Sequence, residues 1–423
     1  MSATIETPRH QEEKRKLSDG WRWVRLGEVV DCFPGAWGED SEFENSTAVQ
    51  VVGTSQISNE GLLNTNDAPI RYLNQRETIA LCFAGDLLVV KSSGSAANIR
   101  SGKTAICPNE LSGKIACANF LMRLVPRPEV IEPYLLWHFL NGEDAKAFVR
   151  RVAGSSTYPN IKWSSFKNLE IPLPHLDEQR RIAEVLREKM ATVDKARIAA
   201  QARLEAVKAL PAAFLQQVFP RPGQPIPTGW RWVRLGEVCE IVRGSSPRPK
   251  GDPRYYGGKV PRLMVEDVTR DGMYVIPNVD FLTEEGATFS RPMKKGDVVI
   301  VVSGAPGMPA ILNVDACIHD GFVGLRNLMT ESIIQEYLFY LLVYLRESTD
   351  KQATGAIFRN LTTYQVGRIA FLLPPIIEQK RILAILREQM AAVEKTRAAA
   401  EEELKTINAL PAALLRRAFN GEI

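Results

Sequence analysis

Apolar positions along the chain fall into two regimes. Around residues 178–210 and 378–410 they recur at alternating spacings of four and three. The first stretch carries Leu186, Met190, Val193, Ala200, Leu204 and Val207, and the second carries Leu386, Met390, Val393, Ala400, Leu404 and Ile407. A heptad register sustained this way, flanked by Glu, Lys and Arg, predicts two long helices that pair with each other. Arg197 and Arg397 interrupt both seams at one level, either fixing register or snorkelling outward. Pro174, Pro374 and Pro375 stop what precedes, while Asp177, Glu178 and Glu378 set negative charge at the positive helix starts. At 1.5 Å per residue, a helix over 178–210 reaches about 50 Å. Elsewhere the apolar runs are short and β-branched. Leu87–Val90 follows Ala84-Gly85-Asp86, and 298–302 follows Lys295-Gly296-Asp297, which reads as turn and then strand. Single helical segments are predicted over 134–149 and 333–345. The class is α+β.

The chain is also written twice. WRWVRLGEV stands at 21–29 and again at 230–238. Residues 178–197 match 378–397 at 12 of 20 positions, and 209–219 match 409–419 at 7 of 11. The middles barely align, apart from the Gly-Asp turns at Gly85 and Gly296 and an asparagine, Asn160 or Asn360, ahead of each long helix. This period is far too long for a solenoid and marks a duplicated domain. A common frame around unlike interiors is what two modules doing one job on two targets would look like; the alternative is drift of unconstrained middles after duplication. The proline-rich stretch 220–229 reads as a semi-rigid spacer between the copies.

With 423 residues the chain holds two or three domains, and an ordinary composition excludes disordered, collagenous and fibrous classes. No apolar run approaches the roughly 18 residues of a membrane span. The N-terminus lacks the apolar segment of a signal peptide, so the expectation is a cytoplasmic protein. Six cysteines without a CxxC pair and four scattered histidines predict buried thiols and no metal.

Three stretches imitate catalytic motifs. Ser101-Gly102-Lys103-Thr104 lacks the leading glycine of a phosphate loop. Glu129 and Asp144 suggest a nuclease metal pair but read as a solvated helix face. Gly35 and Gly38 have no clean strand before them and read as a turn. No nucleophile elbow or HExxH stands in the chain, nor an NPP-aromatic motif of the kind that grips a flipped adenine, so the sequence reads as a binding protein.

A net charge of only +4 does not by itself indicate nucleic acid, but the charge is concentrated. Residues 243–262 hold six basic residues against one acid, with Arg243, Arg248, Lys250, Arg254 and Lys259 beside Tyr255 and Tyr256. Residues 91–103 hold Lys91, Arg100 and Lys103 with no acid, together with Ser93 and Asn98. Lys and Arg neutralise phosphates, Arg pairs with guanine and Asn with adenine. Asn160 and Lys162, and Arg359 and Asn360, complete the candidate DNA contacts. The competing reading for both segments is a solubilising surface loop.

Three features together resemble the specificity subunit of type I restriction–modification systems. Trp-x-x-x-x-Leu-Gly-Glu opens each half, Asn160 and Asn360 precede the long helices, and PLPHLDEQRRI and LLPPIIEQKRI begin at Pro172 and Leu372. The resemblance implies a tail at 1–20 and two target-recognition domains at 21–173 and 230–373. It also implies spacer helices in 174–219 and 374–423, joined by the linker 220–229. The two globules would be related by a pseudo-twofold axis and separated by antiparallel coiled-coil helices. Such a chain reads a bipartite asymmetric site in double-stranded DNA, one domain per half, and has no catalysis of its own. It docks two modification subunits, which methylate adenine, and restriction subunits. S-adenosylmethionine, ATP and Mg are expected on those partners and none on this chain. The other class of reading is a duplicated coiled-coil adaptor that binds proteins.

Overall fold

The computed structural model describes residues 17–92, 94–95, 98–153, 160–220, 225–350 and 362–423, with backbone alone at 94–95, 98–99 and 347–350. Its chain divides into two compact units, Met1–Ala199 with Leu404–Ile423, and Ala200–Glu403.

In the first unit the main sheet runs Val30–Pro34, Leu121–Pro126, Leu87–Val90, Thr104–Ile106, all antiparallel. A second sheet runs Ile70–Leu73, Thr47–Val52, Ile115–Cys117, Leu81–Cys82, with a parallel pair at its centre. All of Leu87–Val90 is buried, Leu87 and Val89 in one core cluster and Leu88 and Val90 in another. Both faces of this strand are covered, which is why its sequence is a continuous apolar run and not an alternation. Arg22–Arg25 pairs antiparallel with Glu170–Leu173, so the shared opening meets the strand that leads into the long helix.

The second unit repeats this plan. Its main sheet runs Glu240–Arg243, Phe322–Arg326, Val298–Val301, Pro309–Leu312, with one added strand, Tyr274–Val275. Its second sheet runs Asp280–Leu282, Tyr256–Leu263, Ala316–Ile318, Arg291–Met293, again with a central parallel pair. Arg231–Arg234 pairs with Ala370–Leu373. The divergent middles therefore share one topology. The sequence echo at Gly85 and Gly296 has a local cause, because both glycines take positive φ (86° and 93°). Each following aspartate accepts from a backbone N–H three residues back, Asp86 from Phe83 and Asp297 from Lys294, both at 2.7 Å.

Four expectations are corrected. The segment 134–149 is two helices, Pro133–Leu140 and Glu143–Val152. Asn141 breaks it by turning its amide to the backbone of Thr104, accepting at 3.1 Å and donating at 2.8 Å. Glu129 precedes both helices and shares no face with Asp144. A strand, Val30–Pro34, does precede Gly35. The helix read at 333–345 occupies Gln335–Asp350.

The long helices are Leu176–Val218 and Ile376–Phe419. A buried glutamine anchors the start of each. Gln179 accepts from the Glu132 N–H (2.9 Å) and donates to the carbonyls of Val130 (3.0 Å) and Pro174 (2.9 Å). Gln379 makes the same three bonds, to Ile334, Ser332 and Pro374. A second matched pair follows, Arg187 with Glu132 and Arg387 with Glu336. In the second unit the two helical stretches run antiparallel. Arg203 pairs with Glu403 (2.6 Å), while Leu210 and Phe214 line a groove with residues of 385–396. In the first unit Leu186 and Met190 share a core with Leu414, Leu415, Ala418 and Phe419. Of the seam residues, Leu186, Val193, Leu204, Val207, Leu386 and Val393 are buried, and Met190, Met390, Leu404 and Ile407 are half-buried. Arg197 and Arg397 turn outward to acids on their own helices, Asp194, and Glu394 with Glu401.

Candidate nucleic-acid interface

In each unit, the first and third strands of the main sheet end at one rim. Pro34 faces Met122 and Val90 faces Leu121; Arg243 faces Val323 and Val301 faces Phe322. A chain leaving either strand therefore emerges at the same edge. The two basic segments leave from different strands, 91–103 after the third strand of the first unit and 244–255 after the first strand of the second. Both issue from that rim all the same. The segment of the first unit that corresponds to 244–255 is acidic, with Glu39, Asp40, Glu42 and Glu44. The helix anchors lie toward the other end of the sheet, since Val130 and Ser332 follow the far ends of Leu121–Pro126 and Phe322–Arg326.

A tight approach fixes the rim. A Cβ at Gly35 would collide with the carbonyl of Ala118, and one at Gly244 with that of His319. Only glycine lets these strands pass so close.

In the second unit the loop is braced from beneath. The Arg262 side chain is buried, pairs with Asp280, and donates to Ser246 Oγ at 3.0 Å. Ser246 donates to Asp320 at 2.8 Å, and the Tyr256 hydroxyl donates to the Pro247 carbonyl at 2.9 Å. Tyr255 packs edge-on against Phe289 at 5.3 Å. The hydrogen bond from Ser246 holds the Asp320 carboxyl below its ordinary range, and burial, then the Arg262 charge, pushes the His319 imidazole down. On this base Arg248, Lys250 and Lys259 are exposed, with Arg248 a distant 4.0 Å from Asp320. Arg254 is exposed but committed to Asp252 at 2.7 Å. Arg243 is half-buried, and its carbonyl accepts from Arg291 at 3.1 Å.

In the first unit Arg100 is not presented outward. Its guanidinium donates to the carbonyls of Thr54 and Ile57, both at 2.9 Å. Lys103 is half-buried against Asn59, and burial lowers its pKa. Lys91 is half-buried at the rim, where its carbonyl accepts from Ile161 at 2.9 Å. Asn160 and Lys162 flank that bond and are exposed, and Asn160 bridges to Ser92. Ser93, Arg359 and Asn360 lie outside the described residues, as does the side chain of Asn98. The rim thus gathers Lys91, Asn160 and Lys162 in one unit and Arg248 and Lys250 in the other.

A family model for the type I restriction modification DNA specificity domain matches residues 18–205 and, a second time, 227–405. The chain belongs to that family. A solved chain from work on complex assembly and conformational transition of the type I R-M system is 28% identical, with a TM-score of 0.78 over 97% of this chain and 100% of its own. The HsdS subunit from Thermoanaerobacter tengcongensis is 27% identical, with a TM-score of 0.63 over 97% and 100%. The type I restriction enzyme StySPI specificity subunit of Salmonella potsdam is 24% identical over 96% of this chain and 90% of its own. Specificity subunits are non-catalytic, catalysis lying in their partner subunits. Among the described residues no cluster of His, Cys, Asp or Glu is placed to hold a metal ion, and no helix is long and apolar enough to cross a membrane. The sequence does not reveal the close approach at Gly35, nor Gly244, nor the roles of Gln179 and Gln379 in the specificity domains. The Glu-Gln pair at each helix start was the visible trace of the last two.

Proposed function

We propose that this chain is the DNA-recognition subunit of a type I restriction–modification complex and reads a bipartite, asymmetric site. Residues 21–173 take one half of the site and 230–373 the other. The paired helices hold the readers at a set spacing and dock two adenine-methylating modification subunits and the restriction subunits. S-adenosylmethionine, ATP and Mg belong to those partners.

One observation carries this reading. A single scaffold, repeated within one chain, presents different chemistry at the same rim: Lys91, Asn160 and Lys162 in one copy, Arg248 and Lys250 in the other. Shared frames give both readers one docking geometry, and unlike rims give them unlike half-sites. Two copies of one rim would read a palindrome.

A gel-shift series in rising salt tests the reading. Phosphate neutralisation by several cations makes log affinity fall linearly with log salt, with a slope of roughly −0.9 per contact. A steep fall is expected of the complex on duplex DNA carrying its site. Binding that ignores DNA altogether points instead to a protein-binding adaptor.

A further inference from the structure

We propose that Asn119 and Phe120 form the base-reading tip of the first unit, an inference that rests on the DNA reading above. In both units one turn feeds the central strand of the main sheet and stands in the middle of the rim. Leu121 donates to the Ala118 carbonyl and Phe322 to that of His319, each at 2.9 Å. Chain leaving the two neighbouring strands bonds to either side of this turn. Ala36 donates to Cys117 and Lys91 to Phe120, both at 2.8 Å. In the other unit Ser245 donates to Ile318 at 3.1 Å and Val302 to Gly321 at 2.8 Å.

The second unit spends this turn on support, since Asp320 holds Ser246 and faces Arg248. The first unit places Asn119 and Phe120 there, both exposed, with Phe120 58% exposed. Two basic residues of the neighbouring segment 91–103 do not compete for the role, because Arg100 and Lys103 turn toward Thr54, Ile57 and Asn59. Lys91 and Asn160 stand beside the tip and suit phosphate or sugar. An amide pairs bidentately with adenine in the major groove, and a phenyl ring packs on the thymine methyl. The tip therefore reads an A·T-containing step of one half-site.

The test selects duplexes from a randomised pool with the assembled complex. The wild-type chain should enrich two separated half-sites. Asn119→Ala and Phe120→Ala should each relax base preference about tenfold at a position within one half-site, leaving the other half-site and the salt slope unchanged. Phe120→Leu, which keeps an apolar contact, should recover part of the preference. Both side chains are exposed, so the variants should melt with the wild type. Variants that enrich the wild-type sequence with undiminished preference overturn the proposal. A wild-type complex that enriches no sequence overturns the DNA reading, and this inference falls with it.

Discussion

Single residues at the rim separate cations that are exposed and at most loosely paired from those firmly engaged. Arg248 and Lys250 stand exposed, whereas Arg254 is bound to Asp252, whose carboxyl it holds below the ordinary range. Arg248→Ala and Lys250→Ala should each flatten the salt slope by about one unit, and Arg254→Ala should change it less. Slopes measured in parallel check this ordering, and equal effects from all three would contradict it. A different residue sets acid stability. Burial, with Arg187 nearby, pushes the His138 imidazole down from 6.5 to about 4. The unfolded chain thus takes up the proton first. The contribution of neutral His138 is complete above pH 6.5 and is lost as pH falls toward 4, on the order of 3 kcal/mol. Its Nε2 is buried with no partner among the described residues, and the ring packs edge-on against Tyr134 at 4.5 Å. His138→Phe keeps the ring and removes the titration. Urea midpoints at pH 7 and pH 4.5 should differ less in this variant than in the wild type.

At the scale of elements, the long helices were the most legible part of the sequence, because a heptad register repeated in two copies leaves little else for those residues to form. The tails that each helix contributes were harder to read. The run ALPAA at 209–213 and 409–413 continues each rod, but beyond it Phe219 stacks on Tyr344 at 5.1 Å in the second unit's core, and Phe419 meets Phe139 edge-on at 5.3 Å in the first's. A contact across hundreds of residues leaves no local pattern. Phe419→Ala should cost about 3 kcal/mol. Hydrogen exchange should locate the loss at Pro133–Leu140 in the first unit and leave Gln335–Asp350 protected, and loss confined to the second unit would contradict this assignment. Helix breaks are hidden in the sequence for a related reason. Asn141 ends a helix by bonding to Thr104, a partner 37 residues away in sequence.

At the scale of the whole molecule, duplication was plain from WRWVRLGEV and the helix starts, and so was a frame enclosing unlike interiors. That the interiors share one sheet order was not legible, since topology tolerates almost any buried apolar residue on a strand covered on both faces. The rim was visible only as two charge-rich stretches at unrelated positions. Strand pairing places them at the same edge, and bonds to the carbonyls of Thr54 and Ile57 turn Arg100 inward where composition alone counted it as a reader. Hydroxyl-radical footprinting of the assembled complex on its selected duplex tests the central claim most directly. Two protected tracts of unlike sequence, separated by a gap indifferent to base identity, are expected. One continuous protected tract, or two copies of the same half-site, would contradict it.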